Sequence, residues 1–256
     1  MQKQIFPVLL AFLLLAPALV HAQIVNIEDK RISKTDTSGV FGNLDLGANW
    51  VENGKTVLTL RGSGRIDFLR KKHLFFSLTN FNLVKVESNE FVNDGFEHLR
   101  YNYVTDKKWT YEAFLQAQYN ERIRLKFRGL AGTGARFEWL KKADHRAYFG
   151  AAYMFEYEKI RDTSLTHRNH RLSTYLSFQF RPLKNLTFSG TTYYQPLFAD
   201  FGDFRLSSQT AASLKITDRL SFQVTFNLQY DARLKEDAPN IPATSYALVN
   251  GLRWAF

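Results

Sequence analysis

Charged side chains recur on one phase of a period-two pattern along this chain, interspersed with neutral polar ones, and their chemistry is that of a lining. Arg61, Arg65, Arg100, Lys126, Arg128, Arg136, Arg171, Arg181, Arg205 and Arg253 form the basic set. Glu112, Glu138, Glu156 and Glu158, with Asp67 and Asp231, form the acidic set. Ten basic against six acidic groups gives a basic-leaning surface. Around a water-filled tube, such rings of charge select small solutes by sign, here small anionic ones. Facing one another across a narrow tube, they form ion pairs that fill and close it. The sequence leaves both readings open.

A second chemistry would need a nucleophile and a base. His167 and His170 lie near Ser164 and Ser173, which would suit a lipid-hydrolysing site at a membrane surface. The His-x-Ser-Asn-Gly pattern of barrel phospholipases is absent. His167-x-x-His170 offers two nitrogens, whereas a structural zinc needs four ligands and a catalytic one three. No catalytic residue, metal site or cofactor is therefore assigned.

The elements that must hold the charged set are strands. Trp109, Tyr111, Ala113, Leu115, Ala117 and Tyr119 alternate with Thr110, Glu112, Gln116, Gln118 and Asn120. Leu220, Phe222, Val224, Phe226, Leu228 and Tyr230 alternate with Ser221, Gln223, Thr225, Asn227, Gln229 and Asp231. Period two with one apolar face is the signature of a strand with two different surroundings. Aromatics at both ends of such a face, with small or aliphatic residues between, match the girdles of a membrane barrel. Turning Leu125–Trp139 inside out would put Lys126, Arg128 and Arg136 against lipid at about 2–4 kcal/mol each near the midplane. The aromatic phase therefore faces lipid and the charged phase the lumen.

About twelve strands follow, between residues 39 and 256. Short turns are expected near Arg70–Lys72, Thr105–Lys107, Lys141–Asp144, Pro182–Asn185 and Thr217–Arg219. Longer loops are expected at Val86–Gly95, Ile160–Asn169, Gln195–Asp203 and Lys235–Ala243. The strand over Leu74–Lys85 carries Phe and Leu on both phases, so its faces stay unassigned. The apolar loop Pro196–Gly202 is expected to pack over the barrel mouth. The fold class is all-β: a transmembrane, antiparallel, up-and-down barrel with periplasmic termini. A soluble β-sandwich or lipocalin-like barrel is the rival.

The ends fit export. Met1–Ala22 has Lys3, then an apolar run from Ile5 to Val20 and a small-residue cleavage site at Val20-His21-Ala22, the pattern of a signal peptide. Residues 23–38 read as a polar periplasmic lead-in. The chain has no cysteine, so no disulfide staples it. A net charge of +10 fits contact with anionic lipopolysaccharide or solutes better than nucleic acid in an exported protein. The last strand places Tyr246, Leu248, Leu252, Trp254 and Phe256 on one face and ends on the aromatic residue.

Several runs resemble a known family. They are YEAFLQAQYNE from Tyr111, RLKFRGLAGTGA from Arg124, FGAAYMFEYE from Phe149, TYYQPLFADFGDFRL from Thr192 and LKITDRL from Leu214. Together they resemble the salt-induced outer-membrane protein family, domain-of-unknown-function family 481. The resemblance implies an outer-membrane barrel in a Gram-negative bacterium. A barrel whose C-terminal aromatic strand resembles this class implies recognition by the barrel-assembly machinery. The family has no established activity, so no catalytic role carries over. A small passive channel is the first expectation, a non-conducting envelope-stress barrel with a plugged lumen the second, and a lipid-modifying enzyme the third.

Overall fold

The computed structural model describes residues 38–254, Asp106 excepted. The leader and nearly all of the lead-in lie outside the described residues, as do Phe256 and the side chain of Arg253. Twelve strands follow in chain order: β1 Gly39–Glu52, β2 Thr56–Arg70, β3 His73–Val86, β4 Asn89–Val104, β5 Trp109–Asn120, β6 Leu125–Lys141, β7 His145–Ile160, β8 Thr166–Leu183, β9 Leu186–Pro196, β10 Phe204–Lys215, β11 Leu220–Asp231 and β12 Thr244–Trp254. A single helical turn, α1 (Leu234–Asp237), sits in the last loop.

Each strand pairs antiparallel with the next, so spatial order equals sequence order. This is the up-and-down wall of a barrel. Among the described residues no ladder joins β12 to β1.

The wall is strongly curled. Neighbouring strands stand about 4.8 Å apart, so a flat sheet would hold β3 and β8 roughly 24 Å apart. Instead Phe76 and Leu78 of β3 pack in one buried cluster with Tyr175 of β8 and Tyr193 of β9. The concave side is the lumen. The convex side carries the aromatic phase: Trp109, Tyr111, Leu115, Phe149, Tyr246 and Trp254 are all exposed there. Glu97 interrupts that face, and the hydroxyls of Ser77 and Thr79 donate to its carboxylate.

Three expectations are corrected. The loop expected over Val86–Gly95 is strand, because Asn89–Asp94 continues the ladder to β3 and leaves a two-residue hairpin, Glu87–Ser88. Glu87, at φ 57°, makes that tight turn. Second, Leu125 is buried and Lys126 exposed, opposite to strict alternation. A bulge between Leu125 and Phe127 inserts the extra residue and resets the phase. Third, the Pro196–Gly202 loop folds over the outer rim rather than the mouth. The Phe198 amide donates to the His170 carbonyl and its ring lies 6.2 Å from that of Tyr153.

Candidate functional site in the lumen

The polar phase of β6–β11 converges at the end of the barrel that carries the β7–β8, β9–β10 and β11–β12 loops. Glu156 of β7 is at the centre and fully buried. Its carboxylate accepts from Arg171 Nε at 3.2 Å and Asn169 Nδ2 at 2.9 Å, both from β8. Its other oxygen pairs with Arg205 of β10 and lies 3.7 Å from Arg128 Nε of β6. Two residues along, Glu158 accepts from Arg128 Nη2 at 2.8 Å and from Arg205 Nη2 at 2.7 Å. Arg205 Nε donates to Asp231 of β11 at 2.8 Å. Arg171 Nη2 reaches Asp203 at 3.0 Å, and its Nη1 donates to the Gln195 and Asp203 carbonyls. Arg233 closes the chain on Asp203.

Four guanidiniums (Arg128, Arg171, Arg205, Arg233) thus meet four carboxylates (Glu156, Glu158, Asp203, Asp231), and the cluster is neutral. Charges this deeply buried persist only when paired and hydrogen-bonded. The loop helix α1 covers the cluster. Leu234 and Ala238 are buried there, and Asp237 accepts from His167 Nε2 at 3.0 Å.

A second layer lies deeper. Glu112 of β5 accepts from Arg100 Nη1 of β4 and from the Tyr175 hydroxyl of β8, each at 3.1 Å. Arg136 Nε stands 3.7 Å from its other oxygen. Arg100 also lies over the Phe114 ring and Arg136 over the Tyr148 ring. Glycines make room for these rings. A Cβ on Gly150 would come within 2.1 Å of the Tyr175 ring, and one on Gly132 within 2.3 Å of the Phe114 ring.

The other expected lining residues scatter. Arg65 pairs with Asp67 on its own strand at 2.5 and 2.6 Å. Glu138 accepts from the Tyr148 hydroxyl near the opposite rim, where Arg181 pairs with Asp144 of the β6–β7 turn. Lys126 points away at its bulge. Arg61 faces a separate cavity of about 390 Å³ beside β1–β4.

His167 and His170 do not come together. Three residues apart on a strand means opposite faces. His167 faces α1, whereas His170 sits on the outer face, 2.5 Å from the Tyr153 hydroxyl. Ser173 is turned inward, its hydroxyl accepting from Gln195 Nε2. Among the described residues no group of three His, Asp or Glu is arranged to hold a metal.

Sequence reading missed Tyr175, Tyr193, Phe76 and Leu78 as lumen residues. The signal was present as the doubled apolar phase of β3 and as two aromatics in the polar phases of β8 and β9.

A family model, described as a protein of unknown function, DUF481, matches residues 46–242. The chain belongs to this family. A search of curated proteins finds no match. Among solved structures, a NanC porin in a rhombohedral crystal form is similar at a TM-score of 0.47 and 11% identity, covering 84% of this chain and 100% of that one. OccK11 (OpdR) of Pseudomonas aeruginosa is similar at a TM-score of 0.39 and 10% identity, covering 84% of this chain and 83% of its own. The strand order of this DUF481 chain rests on its own ladders.

Proposed function

We propose that this chain is an outer-membrane β-barrel channel of low conductance, constricted by a charge-balanced cluster. The carrying observation is the neutral cluster around Glu156, which fills the lumen of β6–β11. It leaves open space beside β1–β4, lined by apolar carbon as well as polar groups, where Arg61 makes no ion pair among the described residues. Ions crossing there meet a weakly basic wall, which gives a slight anion bias. The outer aromatic face supports insertion in a lipid bilayer. In hydrocarbon the backbone edges of β1 and β12 must pair, so the wall closes on itself there. Anionic lipopolysaccharide and the barrel-assembly machinery are the partners this placement brings.

A second reading is a closed barrel of the cell envelope. It is favoured by the Phe76–Leu78 pair bridging to Tyr175 and Tyr193 across the lumen. Single-channel recording of the refolded protein under a salt gradient separates the two. Small steps with an anion-shifted reversal potential that Arg61→Gln abolishes support the channel. A heat-modifiable barrel that stays silent supports the closed reading and removes the first.

A further inference from the structure

The cavity beside β1–β4 has an organised lining. Strand register places Gly47, Arg61 and Asn82 side by side on three neighbouring strands, and Asp45, Ser63 and Asn80 in the next row on the same face. Val84 and Val92 add apolar carbon, and Arg122 enters from the hairpin after β5. Three features set this lining apart from the neutral cluster across the lumen. First, Arg61 has no carboxylate partner among the described residues, and Arg122 has only a long contact, 3.5 Å, to Asp94. Second, Asn82 is 92% buried, since 8% of its surface is exposed, and among the described residues neither its Oδ1 nor that of Asn80 has a hydrogen-bond donor. A buried acceptor left unpaired is costly, so a donor is expected there when the site is filled. Third, Gly47 leaves room: a Cβ built on it meets no described residue within 4 Å.

We infer that this cavity binds a small hydroxylated carboxylate, about the size of a monosaccharide acid. The guanidiniums of Arg61 and Arg122 take the carboxylate, as planar donors matched to two oxygens. The Asn80 and Asn82 oxygens accept from the solute's hydroxyls. The valines cover its carbon face. A volume of about 390 Å³ is at the lower end for small-molecule sites, which suits one sugar-sized unit and excludes an oligomer. The inference rests on the barrel reading and is independent of whether the barrel conducts.

The test is calorimetric titration of the refolded full chain in detergent with D-gluconate, and with acetate and sorbitol as probes lacking the hydroxyls or the charge. Gluconate is expected to bind at least about tenfold more tightly than either, because each probe forfeits one set of contacts. Arg61→Gln is expected to weaken gluconate about tenfold and leave sorbitol unchanged. Asn82→Leu removes an acceptor that has no partner among the described residues, so it should retain folding and lose gluconate affinity. Gly47→Trp should fill the cavity and abolish binding while the barrel keeps its heat-modifiable migration in SDS. The inference is overturned if wild type does not discriminate gluconate from acetate and sorbitol. It is equally overturned if Arg61→Gln and Gly47→Trp, both folded, bind gluconate as wild type does. A silent bilayer recording beside normal gluconate binding would remove the channel and keep the site.

Discussion

Arg205 of β10 donates to Glu158 of β7 at 2.7 Å, across two intervening strands. In a flat sheet those strands would stand roughly 14 Å apart. The contact exists because the wall curls, and it couples the curl to buried charge. Arg205 touches Glu156, Glu158 and Asp231 together, so one side chain ties β7, β10 and β11.

Removing one carboxylate from this cluster leaves its guanidiniums in excess. Glu156→Gln is expected to destabilise the folded barrel by about 3–5 kcal/mol, the cost of breaking a buried pair by removing one partner. Urea unfolding in detergent micelles, followed by tryptophan fluorescence, measures it. A change under about 1 kcal/mol would show that water, not protein, balances these charges.

The two faces of β5 predict opposite responses to charge. Leu115 is exposed on the convex face, while Gln116 is buried in the lumen. Leu115→Arg should lower insertion stability in phospholipid vesicles by about 2–4 kcal/mol if that face meets lipid near the midplane. On a soluble barrel the same change would be neutral within about 0.5 kcal/mol. Equilibrium refolding into vesicles therefore decides between membrane and soluble readings with one substitution.

The α1 cap should respond to pH. Burial raises the Asp237 pKa above the ordinary aspartate value, and Glu158 adds to this, while His167 and Arg233 pull it down without cancelling it. A raised acid binds its proton more tightly when the cap is docked. Docking is therefore strongest below the ordinary aspartate range and weakens as pH rises through the raised value. The chain has no cysteine, so a probe on Lys235→Cys, at an exposed position of α1, is unique. Its mobility should rise with pH in the wild-type background and stay flat with Asp237→Asn. A flat wild-type profile would show that the cap does not depend on this carboxylate.

Strand number, strand direction and the outward face were legible in the sequence, because period-two alternation is local and a basic side chain turned to lipid is costly near the midplane. Twelve strands form in one antiparallel sheet, and Glu112, Arg128, Glu156 and Arg171 of the charged phase are all buried. Two failures have local causes. The polar run Asn89–Asp94 looked like a loop because its register with β3 lies in the partner strand, not in its own residues. The exposure of Lys126 depends on a bulge that alternation cannot announce.

The residues themselves determined that charge gathers on one face and an aromatic-rich surface on the other. They did not determine which charges meet. Whether Arg205 finds Glu158, or Phe76 finds Tyr175, depends on curvature and register summed over several strands. Those are properties of the assembled sheet. Only the tertiary structure decided that Arg128, Arg171 and Arg205 gather in a neutral cluster beside β6–β11 while Arg61 faces a separate cavity beside β1–β4, because pairing across a lumen is a contact between residues the sequence places far apart.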